Sequence, residues 1–89
     1  MIRIRLLGGA KKAVGRPSVE LDRPESSVSE ILKFLQSSAQ EPRLLEPENL
    51  IVAVNGVDSQ ALDGALTVAR SGDLVTVVTV VHGGSRRQQ

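Results

Sequence analysis

Few side chains in this sequence could do chemistry. It contains no cysteine, which excludes disulfides, thiolate metal sites and a cysteine nucleophile. The one histidine, His82, has no neighbours at metal-ligand or triad spacing and reads as an exposed linker residue. Gly8-Gly9 is not followed by the pattern that a phosphate-binding loop needs. No catalytic residue and no metal site is therefore expected. What remains is Gly83-Gly84, set in the stretch VVHGGSRRQQ (Val80 to Gln89). Two residues without Cβ can thread a narrow channel and take φ/ψ values closed to other residues. The chemistry they suit is that of the main-chain carbonyl of Gly84. The alternatives are a flexible linker to a ragged end, or a working terminus at Gly84 with Ser85 to Gln89 as a removable block.

Composition narrows the partners. Of 89 residues, 40% are apolar and 24% charged, enough for one globular domain with one small core. The net charge of +1 makes no broad electrostatic case for nucleic acid. Without Arg86 and Arg87, 9 basic residues face 10 acidic ones, so the slight basicity resides in the tail. Phe34 is the sole aromatic residue, which leaves nothing to stack single-stranded bases. No apolar run is long enough to span a bilayer as a helix, and the alternating, charged start MIRIRLL does not read as a secretory signal. A cytoplasmic protein without nucleic-acid or membrane partners is expected.

The terminal glycines need a folded body to present them. Ile2, Ile4 and Leu6 alternate with Arg3 and Arg5, the period of a half-buried strand. Gly8-Gly9 break it, and AKKAVG (Ala10 to Gly15) reads as a turn or short helical turn. Val19 and Leu21 mark a second strand that pairs antiparallel with the first. Ser27 and Glu30 have capping-box spacing. Val28, Ile31, Leu32 and Leu35 then form one apolar helical stripe, with Phe34 at its margin. Pro42 places the helix exit before it. In the following loop, Leu44 and Leu45 can either dock on the core or lie exposed. LIVAV (Leu50 to Val54) is a strand apolar on both faces, and Asn55-Gly56 is a tight-turn signal. A brief edge strand is expected over Val57 to Gln60. An irregular segment follows, with Leu62, Leu66 and Val68 as core anchors. After Ser71-Gly72-Asp73, LVTVVTVV (Leu74 to Val81) is the strongest strand signal, dominated by β-branched residues.

This order predicts an α+β fold: a mixed four- to five-stranded sheet on one main helix, its first and last strands side by side and parallel. That arrangement, ending in a strand and Gly-Gly, resembles the ubiquitin-like β-grasp proteins. It is most similar to the MoaD/ThiS sulfur carriers and their archaeal modifier (ubiquitin-related modifier) relatives. The resemblance rests on MIRIRLLGGAKKAVG at the start, VAVNG (Val52 to Gly56) in the middle and SGDLVTVVTVVHGG near the end. It implies a β-grasp domain over residues 1–82 and a Gly-Gly tail over 83–89. Sulfur carriers usually stop at Gly-Gly, whereas this chain continues as SRRQQ, which points to the modifier branch.

In that group an E1-like activating enzyme uses ATP to adenylate the terminal glycine carboxylate. The resemblance thus implies no bound cofactor, and Gly84 as the reacting residue. It also implies cleavage between Gly84 and Ser85 by an MPN/JAMM-type protease, then conjugation to lysines of target proteins. The alternatives are a Gly84 thiocarboxylate passed to sulfur-transfer enzymes for molybdopterin synthesis or tRNA thiolation, and a non-covalent interaction module with inert glycines. A partner surface is also expected. If Val75 and Val77 face the helix, Val78 and Val80 face away; if Val52 and Val54 face inward, Ile51 and Ala53 face away. With His82, these residues would form a surface for the activating enzyme. Both strands are apolar at either parity, so a one-residue slip would exchange the faces. Lys11, Lys12 and Lys33 read as ordinary surface lysines.

Overall fold

A computed structural model describes Met1 to Thr79. Strand β1 (Ile2–Gly8) leads into a short helix α1 (Gly9–Val14), then β2 (Ser18–Leu21) and β3 (Glu25–Ser27). The main helix α2 (Val28–Ser38) follows, with 3-10 turns over Pro42–Leu45 and Pro47–Asn49. The second half contains β4 (Leu50–Val54), β5 (Val57–Asp58), β6 (Val68–Arg70) and β7 (Leu74–Thr79). Five strands form one sheet in the order β2-β1-β7-β4-β5. Strands β1 and β7 are parallel at its centre, and every other pairing in it is antiparallel. This is the expected α+β β-grasp.

The core follows from strand alternation meeting one helical stripe. Ile2, Ile4 and Leu6 of β1, Val75 and Val77 of β7, and Val52 and Val54 of β4 are buried on one sheet face. Val28, Ile31, Leu32 and Leu35 of α2 cover them. The capping box forms as expected. Ser27 Oγ accepts from the Glu30 amide at 3.1 Å, and the Ser27 amide donates to Glu30 at 3.0 Å. A cap of this kind contributes about 1 kcal/mol. At the other end, the Ser37 and Ser38 hydroxyls donate to the Phe34 carbonyl, competing with continuation of the helix. Phe34 is half-buried at the stripe's margin, Leu45 is buried and Leu44 half-buried against the core.

Two expectations need correction. Leu62, Leu66 and Val68 are not core anchors: all three are exposed, Leu66 by 77%. The segment is also less irregular than its sequence. Strand β6 pairs antiparallel with β3, forming a separate two-stranded ladder that places Ser26 opposite Ala69 and Ser27 opposite Val68. Ala69 and Ser26 face inward, and alternation then turns Val68 out. Leu62 and Leu66 fall on or beside 3-10 turns (Ser59–Ala61 and Gly64–Leu66) along the surface. The small or polar Ser59 and Thr67 are the buried residues there.

The turn motifs VNG and SGD are bolted together. Asn55 adopts a left-handed φ of 52°, which asparagine tolerates better than most residues. Its side chain donates to Asp73 Oδ1 at 3.0 Å and accepts from the Leu74 amide at 2.9 Å. Asp73 Oδ2 accepts from the Arg70 amide at 2.7 Å. The Arg70 amide, then the Asn55 amide and the charge of Arg70, hold the Asp73 carboxyl below its ordinary value of 3.8, against a smaller opposing effect of desolvation. The Ser27 amide and hydroxyl, with weaker help from Arg23 and Lys33, similarly lower Glu30 from 4.5.

Because both folded-state values lie below the unfolded ones, the unfolded chain binds protons first as pH falls. The stability these carboxylates contribute is complete above their ordinary values and is lost as pH drops through the depressed ones. Asp73→Asn is expected to cost about 1 kcal/mol at pH 7 by weakening charge-assisted hydrogen bonds. Urea unfolding at a series of pH values should show the variant with a shallower acid loss than the parent chain, the two curves converging as pH falls through the depressed value of Asp73.

Candidate functional site

The candidate site is the end of the sheet toward which the chain runs along β7. Thr79 is its last described residue. Val80, His82, Gly83, Gly84 and Ser85 lie outside the described residues, so the site is built from what holds Thr79.

Thr79 occupies the middle of a three-strand row, with Gly8 of β1 on one side and Leu50 of β4 on the other. Its side chain falls on the same face as Val75 and Val77, toward the start of α1. Gly8 has φ 57° and ψ −130°, a combination closed to residues with a side chain, and there the chain turns from β1 into α1. Gly9 has a different reason to be glycine. A Cβ placed on it would lie 2.9 Å from Thr79 Cβ, 3.1 Å from Cγ2 and 3.2 Å from Oγ1. The Thr79 hydroxyl also reaches toward the Leu44 carbonyl at 3.5 Å. The last described rung of β7 is thus seated in the notch made by the two glycines.

Sequence reasoning read Gly8-Gly9 only as a strand breaker. Its meeting with Thr79 follows from the parallel β1–β7 register, which pairs Gly8 with Thr79.

The other sheet face carries the expected outward residues. Ile51 and Val78 are directly opposed, as are Ala53 and Thr76. Because Val75 and Val77 are fully buried, Thr76 and Val78 point away from α2, and so do Ile51 and Ala53. Leu7 extends the first row, since it pairs with Val78, and Arg5 extends the second beside Thr76. Ile51 and Leu7 are 45% and 41% exposed, so the centre of this face is an open apolar row, Leu7–Val78–Ile51. Leu7 is absent from the sequence-based surface although its signal was present: in IRIRLL it is the outward neighbour of buried Leu6. On the same face Arg3 lies 3.9 Å from Glu20, both well exposed, a pair of small energetic consequence.

Among the described residues, no three His, Asp or Glu side chains gather as a metal site, and no helix is long and apolar enough to cross a membrane.

Comparison with known proteins is decisive for the family. The model of the ThiS family matches residues 4–84. The chain belongs to the ThiS family.

The ThiS match ends on Gly84 and leaves out Ser85 to Gln89. Solved structures agree on the fold. Haloferax volcanii HVO 2177 superposes with a TM-score of 0.73 at 27% identity, over 93% of this chain and 85% of that one. The small archaeal modifier protein 1 (SAMP1) of Methanosarcina acetivorans gives 0.71 at 19% identity, over 93% and 95%. A chain of the Amycolatopsis orientalis BexX/CysO complex gives 0.72 at 24% identity, over 94% and 100%. No curated protein matches the chain. This ThiS-family chain thus shares the α+β β-grasp fold of these structures.

The notch makes its own prediction. Gly8→Ala forces a side chain into a glycine-only backbone conformation and should cost about 1–3 kcal/mol. In urea this should appear as a lower unfolding midpoint at unchanged slope.

Proposed function

We propose that this chain is the precursor of a ubiquitin-like protein modifier whose working terminus is Gly84. The observation that carries the reading is the family match ending on Gly84 while the chain continues through Ser85-Arg86-Arg87. While Ser85 is attached, Gly84 has no free carboxylate. Water must first cleave the Gly84–Ser85 bond, leaving a carboxylate on Gly84 and an amine on Ser85; an MPN/JAMM-type protease suits the step. An E1-like enzyme then joins that carboxylate to ATP, releasing pyrophosphate and forming an acyl-adenylate. A lysine amine of a target protein, reached directly or through an enzyme thioester, displaces AMP and forms an isopeptide bond. ATP is thus a substrate of the activating enzyme and not a cofactor of this chain. Residues 1–82 act as the body and 83–89 as the reactive end with its cap. Cytoplasmic localisation fits a reaction that consumes ATP.

The match to the ThiS family favours a second reading that shares the activation step. There the outer sulfur of a sulfur-transfer enzyme's cysteine persulfide displaces AMP, and a second thiol of that enzyme then cleaves the sulfur–sulfur bond, leaving a Gly84 thiocarboxylate and an enzyme disulfide. The BexX/CysO complex, containing a chain of this fold, supports partnership with a second protein in either reading. The row Leu7–Val78–Ile51 offers the activating enzyme an apolar landing surface.

Intact-mass analysis of the full chain after incubation with ATP in an extract of its own cells tests these readings. Loss of Ser85 to Gln89, followed by isopeptide linkage of Gly84 to lysines, is expected. A terminal thiocarboxylate selects the second reading, and an untouched chain supports a non-covalent β-grasp module. Gly84→Ala should reduce adduct formation by about 100-fold, the scale associated with misplacing a reacting group. Ile51→Asp should weaken binding to the activating enzyme by about 10-fold, equivalent to about 1.4 kcal/mol, while the far-ultraviolet circular dichroism stays unchanged. Equal binding would remove Ile51 from the contact surface.

A further inference from the structure

Asn55 and Gly56 form the turn between β4 and β5, and both are exposed. The chain has one other asparagine, Asn49, which precedes Leu50. An asparagine followed by glycine carries a reactive pair of its own: the side-chain carbonyl carbon and the next main-chain nitrogen. Glycine leaves that nitrogen unhindered, whereas the Leu50 side chain crowds the one after Asn49. Around Gly56 the space is open, since a Cβ built there meets nothing within 4 Å. Among the described residues, the Gly56 amide donates to no backbone carbonyl. The nucleophile is therefore bare.

The electrophile is tied down. Asn55 Nδ2 donates to Asp73 Oδ1 at 3.0 Å, and Asn55 Oδ1 accepts from the Leu74 amide at 2.9 Å. The Asn55 main-chain amide also donates to the Leu74 carbonyl at 2.7 Å. Asp73 is held in turn, because its other oxygen accepts from the Arg70 amide. Both ends of the side-chain amide are thus fixed toward the start of β7. Ring closure must swing the carbon between them onto the Gly56 nitrogen, and then expel the nitrogen that Asp73 holds.

We propose that Asn55-Gly56 is a site of spontaneous modification at which Asn55 loses its side-chain nitrogen, and that the hydrogen bonds to Asp73 and Leu74 set the rate in the folded chain. The inference is independent of what is joined to Gly84. The Gly56 nitrogen gives its proton to water and bonds to the Asn55 side-chain carbonyl carbon. The carbon–nitrogen bond of the side-chain amide breaks, and ammonia leaves with a proton taken from water. Water then opens the cyclic imide at either carbonyl, giving aspartate or isoaspartate at position 55. In net, one water is consumed and one ammonia released, and nothing is oxidised or reduced. Either product sets a carboxylate against Asp73 where a donor stood, so like charges meet across the corner. Isoaspartate also adds a carbon to the main chain, in the turn that carries the two paired residues of β5. The change is one-way, because the product cannot rebuild the corner that restrained it.

The test incubates the full chain at neutral pH, folded and in urea, and follows the peptide containing Asn55 by mass spectrometry. Exchange of NH2 for OH changes its mass, which separates the event from isomerisation at Asp63-Gly64, where mass is conserved. An isoaspartyl methyltransferase with a labelled methyl donor counts the isoaspartate. The folded parent is expected to convert at Asn55 on the order of 100-fold more slowly than in urea, the scale of two hydrogen bonds, one of them to a charged group. Folded Asp73→Ala should convert about 10-fold faster than the folded parent, and at the parent's rate in urea. Asp73→Asn, which keeps an acceptor oxygen, should fall between them, and it carries the comparison if Asp73→Ala does not fold. Gly8→Ala weakens the fold at the opposite end of the sheet and should stay within about twofold of the folded parent, because local opening governs the step. Asn55→Asp, one product of the reaction, should melt below the parent. Equal rates folded and in urea, Asp73 variants no faster than the parent, an equal acceleration in Gly8→Ala, or conversion at Asn49 as fast as at Asn55 overturns the proposal.

Discussion

The parallel ladder between β1 and β7 is the constraint on which the rest of the molecule depends. Two parallel neighbours cannot be joined by a hairpin; the chain between them must cross over and return at the starting end. Here the crossover is everything from α1 to the Asn55–Asp73 corner. The helix α2 lies within that connection and brings its apolar stripe onto one sheet face. Pairing residue for residue from Arg3–Leu74 to Gly8–Thr79, the ladder also decides parity across the sheet. Once Ile4 and Leu6 face the helix, Val75 and Val77 must do so too. Val52 then faces inward opposite Val77, and Ile51 faces outward opposite Val78.

Much of this was legible in the sequence, and the reasons are specific. In β1 the arginines at 3 and 5 leave only one parity for Ile2, Ile4 and Leu6. In α2 the Ser27–Glu30 box and the four-residue apolar stripe agree on start and face. By contrast, LIVAV and LVTVVT are apolar at either parity. Their faces come from neighbours in the ladder, which no local window contains. The short strands β3 and β6 were missed because three-residue strands containing serine, alanine and arginine carry no periodic signal. Leu62, Leu66 and Val68 are apolar yet exposed, because backbone geometry turns their side chains out.

The candidate site divides along the same line. Gly83 and Gly84 stand out by type and by position after a strand, so sequence alone singled them out. Gly8 and Gly9 carry the same letters near the other end of the chain and read only as a break. Their role depends on a contact across the whole crossover, and that contact becomes visible once Thr79 is placed against them. The turn motifs VNG and SGD behave alike. Each is commonplace alone, but Asn55 and Asp73 hydrogen-bond each other, so they form one corner read in two pieces.

The central position of β7 has a mechanical consequence. A pull on the chain beyond Thr79 enters the fold through a strand bonded on both sides, to β1 and to β4. It runs along the strand and perpendicular to the ladder bonds, loading them together in shear. An edge hairpin pulled open at its end would give way one bond at a time. A load attached through the chain's end would therefore meet the fold in its stiff direction, and the body would resist being dragged apart by whatever is tethered there.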